Sequence, residues 1–525
     1  MATDRIAPTL DNYSMFDYKA KFDSVTQPNI LPGWVGDNAR RLNAYAMLEA
    51  YYTNSSRFWL KDDPAKNDRR EYGDAFILVE TALTSLMGDK QRVVVQGSLT
   101  QDQAAMQIQT QLDEWLEAEK FNMKLIESER QACKLGDSVY VLAPDANAPG
   151  RVRLHVYDPG FYFPVFDPLQ REGGEDFPTK IHIAWEFIMK NERQEDVTYV
   201  RRITWELVQD VLYTPQYSNT PTTQNCRYVD AYWRQDEVGK DMTVAWGERK
   251  QTLADVLMNV DFIPVVHIPN SVSIQNHFGR SVVAPVMQIM DDIQSVDTDL
   301  QAAAATTGTP PIAVSGRGSG SGQVDSYGPG LIFHVGDGTA TVLDTSMSLD
   351  ALLKLKDALL ERLSVNSRTP EALLGRVKPN EVPSGISMTL SFAPHTGMIK
   401  EMRSVRKEKY RLLFKFATRM MGIQDAPVID LVLGSFLPAD KQEAMTQVVQ
   451  LLGAKAISLE TAVQMLMETG YPIEDWMKEI ARIEARDVTT ATSLMGLTGD
   501  PNTGLQFLGL PEITLPPDPL NTGGV

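Results

Sequence analysis

Cysteine is nearly absent from this 525-residue chain: Cys133 and Cys226 are the only two. That excludes a disulfide framework, and two sequence-distant thiols read as buried core residues suited to a reducing compartment. Histidine is scarce too. The six, His155, His182, His267, His277, His334 and His395, stand isolated, with no His-Glu-x-x-His and no Cys/His group at zinc spacing, so no metal site is expected. Apolar runs fall short of the ~20 residues that a membrane span needs. The opening Met1-Ala2-Thr3-Asp4-Arg5 has no apolar leader core. The glycine run from Gly316 through Arg317, Gly318 and Gly320 to Gly322 lacks the Gly-Lys-Ser/Thr ending of a phosphate loop and the Gly-x-Gly-x-x-Gly spacing. It reads as a flexible loop. Asp291 and Asp292 are adjacent, and neighbouring residues on a helix point about 100° apart, which does not suit a shared metal. No catalytic constellation and no cofactor are expected.

A composition of 43% hydrophobic and 22% charged residues is that of an ordinary globular protein. The length favours several lobes. The formal net charge of −18 argues against a surface that grips nucleic acid everywhere; excess carboxylates also promote solubility.

Along the chain, residues 1–35 carry scattered Pro and Gly and read as an arm. Helical patterning starts near Asp37, returns from Tyr72 to Met87, and runs again from Gln101 to about Leu135 as one helix. After Gly136-Asp137 the texture changes to strands: Ser138–Leu142, Val152–Tyr157, Ile181–Ile188, Thr198–Leu207, Tyr228–Trp233 and Ile263–Ile268. Helix returns after Gly279-Arg280-Ser281 and continues to about Ala303, with Pro285 tolerable in its first turn. Val282, Val286, Ile289, Ile293, Val296 and Leu300 recur in steps of four and three, a seam for one neighbouring helix. Ala284, Gln288, Asp291, Ser295, Thr298 and Ala302 form the opposite, small and polar face.

A small Gly/Ser-rich module follows. Pro311–Val314 reads as a strand, and Gly330–Val335 with Ala340–Leu343 as a hairpin around Gly336-Asp337-Gly338. The next helix, Leu349–Val365, has Ser348 as its expected N-cap. Its apolar residues are Leu349, Leu352, Leu353, Leu359, Leu360 and Leu363, and its polar stripe is Asp350, Lys354, Asp357, Glu361 and Ser364. A Pro/Gly-punctuated loop with Arg376 and Lys378 leads to Pro383-Ser384-Gly385-Ile386-Ser387-Met388 and a long helix that Pro394 and Gly397 should kink. Lys400, Arg403, Lys407 and Arg411 share one face of it, open either to DNA or to acidic neighbours in a subunit interface. Met402, Val405, Leu412, Phe416 and Met420 share another. Residues 437–487 read as a helical bundle with Ser458 as an N-cap, and a loose tail is expected from Thr489.

This order of helix, small β-rich module, helix, loop and long helix resembles the portal proteins of tailed double-stranded-DNA bacteriophages. Gly136-Asp137 before a strand–turn–strand unit is similar to their wing. Family members often carry Ser-Gly-x-Ala-Leu at the start of the long helix; here Ser384-Gly385-Ile386-Ser387-Met388 departs at the last two positions. The resemblance implies an α+β portal fold. Its parts would be an arm (1–35), a mixed α/β wing (36–278), stem helices (279–303 and 348–366), a β-rich clip (304–347), a tunnel loop (367–384), a long kinked wing helix (385–424), a helical crown (425–488) and a tail (489–525).

The function implied is a ring at one capsid vertex, typically of twelve copies, that conducts DNA during packaging and ejection. Asp291, Ser295, Arg376 and Lys378 would face the channel, and the glycine loop would belong to the clip. The implied partners are the terminase large subunit, neck or adaptor proteins, the major capsid protein, a scaffold protein and the passing DNA, in the host cytoplasm during assembly and then in the virion, with no membrane. A negatively charged tube would let DNA slide, and the ATPase would reside in the terminase. A neck adaptor, a minor capsid protein or a DNA-packaging enzyme are the alternatives.

Overall fold

The computed structural model describes residues 39–54, 72–98, 103–145, 150–166, 178–190, 194–234, 251–271, 277–308, 312–315, 339–342, 346–376, 385–436, 441–468, 471, 473, 476–498 and 501–507. The fold is mixed α+β. It divides into two compact units. One comprises Met1–Met87 with Gln91–Val432, the other Gly88–Lys90 with Leu433–Val525.

In the first unit, α1 (Ala39–Tyr52) and α2 (Asp74–Met87) precede a short strand, β1 (Gln91–Val95). The single helix expected over 101–135 is two, α3 (Gln103–Ala118) and α4 (Phe121–Leu135). Lys120 separates them in the left-handed region, φ 52°, which no residue inside a right-handed helix can adopt. α4 buries Phe121, Leu125, Ala132, Cys133 and Leu135. It stops at Gly136, φ 103°, whose N–H bonds to the Ala132 carbonyl, the usual glycine closure of a helix.

β2 (Asp137–Pro144) follows at once and is buried over its first six residues. It lies between β3 (Val152–Tyr157) and a later strand, β9 (Val265–Pro269), in an antiparallel three-stranded sheet. A turn at Pro159–Phe161 leads to β4 (Tyr162–Val165), β5 (Lys180–Lys190), β6 (Asp196–Tyr213), β7 (Thr222–Arg234) and β8 (Gln251–Leu257), a five-stranded antiparallel meander. Both long meander strands reach beyond their expected ends, because β6 and β7 pair continuously from Tyr199↔Arg234 to Gln209↔Gln224. The chain then returns through β9 (Val265–Pro269).

A 3₁₀ turn, Ala284–Val286, contains Pro285 and opens α5 (Met287–Gly308). β10 (Ile312–Ser315) pairs antiparallel with β11 (Thr339–Val342). The sequence pattern pairs Ala340–Leu343 with Gly330–Val335; the observed partner is β10, and Gly330–Val335 lies outside the described residues. α6 (Ser346–Ser367) begins two residues before Ser348, which is therefore inside the helix and not its cap. α7 (Gly385–Met420) runs unbroken through Pro394 for 36 residues. β12 (Ile429–Leu433) pairs with β1.

The second unit holds α8 (Lys441–Gly453), α9 (Leu459–Glu468), α10 (Trp476–Thr498) and α11 (Pro501–Phe507). Ser458 caps α9, its Oγ accepting from the Thr461 N–H at 3.2 Å. The loose tail expected from Thr489 is helical to Thr498 and again over α11, since Ala491 is buried on the apolar face of α10. Among the described residues, no helix is long and apolar enough to cross a membrane.

Candidate functional site

Two sequence signals far apart in the chain, Gly136-Asp137 and Gly279-Arg280-Ser281, meet at one joint. Neither glycine has room for a side chain. A Cβ on Gly279 would lie 2.3 Å from the Gly136 carbonyl oxygen and 2.5 Å from the Asn270 nitrogen. A Cβ on Gly136 would lie 2.9 Å from the Ser281 nitrogen. The backbones close on each other through hydrogen bonds. Asn270 N–H donates to the Gly136 carbonyl at 2.8 Å and Val282 N–H to the Cys133 carbonyl at 3.1 Å. Ser281 Oγ donates to the Lys134 carbonyl at 2.6 Å.

Asp137, fully buried, ties three elements to this joint. Its carboxylate accepts from Tyr45 Oη of α1, from His267 Nε2 of β9 at 2.7 Å and from the Gly279 N–H at 2.7 Å. His267 stacks on Tyr162 and His277, with ring centroids 5.3 and 4.3 Å away. Burial pushes both histidines below their ordinary value and Tyr45 above its own. Arg41 stacks over Phe278 at 4.4 Å and donates to the Pro159 and Tyr162 carbonyls, each at 2.7 Å.

Beneath the joint lies a buried ion pair that the sequence pattern does not reveal. Arg406 Nε donates to Glu129 Oε2 at 2.6 Å and its Nη2 to Asn270 Oδ1 at 2.8 Å. Tyr410 Oη donates to the other Glu129 oxygen at 2.6 Å. Arg406 lies on the Met402/Val405 side of α7, where its apolar neighbours are the one signal in the sequence. Both thiols, Cys133 and Cys226, are free and buried, and burial raises each to about 12.

From the joint extends a helical hairpin. β10 follows α5, β11 precedes α6, and the two strands pair, so the C-terminal end of α5 meets the N-terminal end of α6. At the other end, the turn before α5 packs against α6. The helices are therefore antiparallel. Val286 of the 3₁₀ turn, Met290, Ile293 and Val296 of α5 and Leu359 and Leu363 of α6 are buried. Lys356 crosses to the buried Asp297 carboxylate. Asp74, at the start of α2, faces this pair, and burial followed by the Asp297 charge raises its carboxyl.

The exposed side of α5 is offset from the polar face that the spacing picks out. Asp291 is half-buried and accepts from Tyr51 Oη of α1 at 2.6 Å, because α1 covers that side of the helix. Gln288, Asp292, Ser295, Asp299 and Ala302 form the exposed stripe, so Ser295 is on it and Asp291 is not. On α6, Leu353, Leu355 and Val365 are 46%, 48% and 69% exposed.

α6 ends with Thr369 N–H on the Ser364 carbonyl and Arg368 N–H on the Val365 carbonyl, a Schellman closure. Arg368 occupies its left-handed position, φ 55°, where glycine is usual and another residue costs about 1–2 kcal/mol. His395 of α7 contacts the Arg368 carbonyl through Nδ1 at 3.2 Å and Ser85 Oγ through Nε2 at 2.9 Å. A carbonyl only accepts, so Nδ1 carries the proton. Arg376, expected as a phosphate contact, is engaged inside the chain with Glu371 at 3.0 Å and Asp357 at 3.3 Å. Lys378 and the clip residues Gly316, Arg317, Gly318, Gly320 and Gly322 lie outside the described residues.

The four basic residues of α7 do not act as one face. Lys400 and Lys407 are exposed. Arg403 donates to the Leu86 and Ser85 carbonyls at the end of α2, at 3.0 and 3.1 Å. Arg411 pairs with Asp430 at 2.5 Å and Glu408 at 3.3 Å. Among the described residues, no group of three His, Cys, Asp or Glu is placed to hold a metal ion.

No protein-family model matches this chain, and no curated protein sequence does. Solved structures of gene transfer agent (GTA) particles do match. A chain from the neck of the empty particle, computed with C6 symmetry, is 12% identical with a TM-score of 0.42, over 81% of this chain and 93% of that one. A chain from the neck of the native particle, computed with C12 symmetry, is 13% identical with a TM-score of 0.40, over 82% and 93%. A chain from the native virion is 13% identical with a TM-score of 0.39, over 74% and 89%.

Proposed function

We propose that this chain is the subunit of a portal-type ring in a phage-like particle, a passage for double-stranded DNA and not an enzyme. The observation that supports this most is the α5–α6 hairpin, which is rooted in the wing by the glycine joint and capped at its far end by the β10–β11 ladder. An exposed stripe of small and acidic residues on α5 suits the wall of a bore, because carboxylates repel phosphate and leave DNA free to slide. Leu353, Leu355 and Val365 of α6 are exposed on more than one side of the helix, and in a ring the neighbouring copies would cover them. In this reading the β10–β11 end receives the packaging motor and, later, neck proteins, and the wing meets the capsid shell.

Negative-stain imaging and mass photometry of the purified full chain test the proposal. Closed rings with a central hole are expected, together with no ATP turnover. A monomer at every concentration, or hydrolysis of ATP by the pure protein, refutes it.

A further inference from the structure

Two imidazoles are stacked beside the glycine joint, one on each side of it in the chain. His267, on β9, is 5% exposed and lies three residues before Asn270. His277, two residues before Gly279, lies on it with ring centroids 4.3 Å apart and planes 26° apart. Tyr162 of β4 stacks on both, at 5.3 and 5.9 Å. Phe166 and Phe278 meet the His277 ring edge-on, at 4.8 and 5.2 Å.

Neither ring has a good place for a second proton. The Asp137 carboxylate only accepts, so His267 Nε2 carries the proton and Nδ1 is left with a lone pair. That Nδ1 is buried and has no hydrogen-bond partner among the described residues, so an added N–H would meet no acceptor. His277 meets the Tyr162 hydroxyl through Nε2 at 3.0 Å, and protonating it would lay a cation flat on His267. The charged groups that act on the two rings are Asp137 of β2, Arg41 of α1 and Lys409 of α7. Asp137 already accepts from three donors, with Tyr45 Oη of α1 among them. Burial is the main reason that both imidazoles lie below their ordinary value. Arg41 and Lys409 add to it, and Asp137 works against it at His267.

We infer that the His267–His277 stack is an acid-sensitive pin of the root joint, which opens by taking up two protons while the rest of the chain stays folded. The bonds it would release are those of the joint: Gly279 N–H to Asp137, Asn270 N–H to the Gly136 carbonyl and Val282 N–H to the Cys133 carbonyl. An imidazole that is neutral in the closed joint and titrates at the ordinary 6.5 in the open one favours opening as pH falls below 6.5. Between pH 6.5 and 5.5 one such group raises the opening constant about fivefold, and two raise it about thirtyfold. The device belongs to a single chain and does not depend on a ring.

Hydrogen exchange of the full chain, followed by mass spectrometry from pH 8 to pH 5 and corrected for the intrinsic pH dependence of exchange, reads this constant at Asn270, Gly279 and Val282. The wild-type joint should hold its protection from pH 8 to pH 7 and lose about thirtyfold between pH 6.5 and 5.5. His277→Phe keeps a ring on His267 and removes one proton site, so its loss over the same interval should be about fivefold. Residues 441–468 contain no histidine; as a reference in the same samples they should stay level. If His277→Phe does not fold, the wild-type titration against that reference still decides. Level protection of the wild-type joint between pH 6.5 and 5.5, an equal loss in His277→Phe, or a reference that opens in step with the joint overturns the proposal.

Discussion

At the root of the α5–α6 hairpin the chain buries charge and polar groups. Asp137, Glu129 and Arg406 are all shut away from water, each in several hydrogen bonds. Along the shaft the reverse holds. There a thin apolar seam and the Lys356–Asp297 crossing hold two helices that keep exposed stripes in solvent. A buried polar network accepts few geometries, whereas an apolar seam tolerates sliding and repacking. Orientation is thus set at the root, while the shaft keeps Leu353, Leu355 and Val365 in solvent.

The sharpest way to break that contrast is to orphan one charge at the root. Arg406→Met leaves Glu129 buried without its cation and should destabilise the fold by about 3–5 kcal/mol. Replacing Glu129 and Arg406 together by apolar residues should recover much of that loss. Urea denaturation of the three variants checks both statements. Next comes the backbone approach of the two glycines. Gly279→Ala puts a methyl group 2.3 Å from a carbonyl oxygen that cannot move aside, and about 1–3 kcal/mol should be lost. Gly453→Ala, at the end of α8, meets nothing within 4 Å, so thermal melting should separate the two alanines clearly. On the shaft, Leu353→Ser with Val365→Ser should change monomer stability by no more than about 0.5 kcal/mol. The same pair should weaken ring formation, measured by mass photometry.

The mildest and broadest effect is on pH. His155, His182, His267, His277 and His395 are all lowered by burial, His182 to about 3. In the unfolded chain they titrate at the ordinary 6.5. The unfolded state therefore binds more protons below pH 6.5. Their contribution is fully present above that pH and declines as pH falls toward the folded values. Asp158, raised to about 6 by burial, works the other way between about 6 and 3.8. Melting temperatures from pH 8 to pH 5 should fall overall, and a flat profile would show that the histidines are not buried neutral.

Much of the framework is legible in the sequence, because it rests on periodicity. The α5 seam, the α6 leucines and the Ser458 cap follow rules of spacing and local hydrogen bonding. Places where one element is covered by a distant one are not legible. Tyr51 shields Asp291, and this moves the exposed stripe to Asp292 and Asp299. Arg376 stands out by its charge, yet Glu371 and Asp357 occupy it. Arg406 stays hidden because a charged residue on an apolar face looks like a flaw in the pattern until its partner, 277 positions away, is seen. Arg368 escapes notice because its backbone conformation has no sequence signature apart from the glycine that is missing there.

The meeting of Gly136 with Gly279 has a mechanical consequence. Each helix of the hairpin is about 33 Å long at 1.5 Å per residue, so a push at the β10–β11 tip acts on the root as on the short arm of a crowbar. A root of interlocking side chains would absorb such a torque by changing rotamers. Here main chain meets main chain, continuous with β2 through Asp137 and with β9 through Asn270. Work done at the tip therefore passes into the sheet as a whole, and a pull on the far end of the hairpin acts directly on β2 and β9.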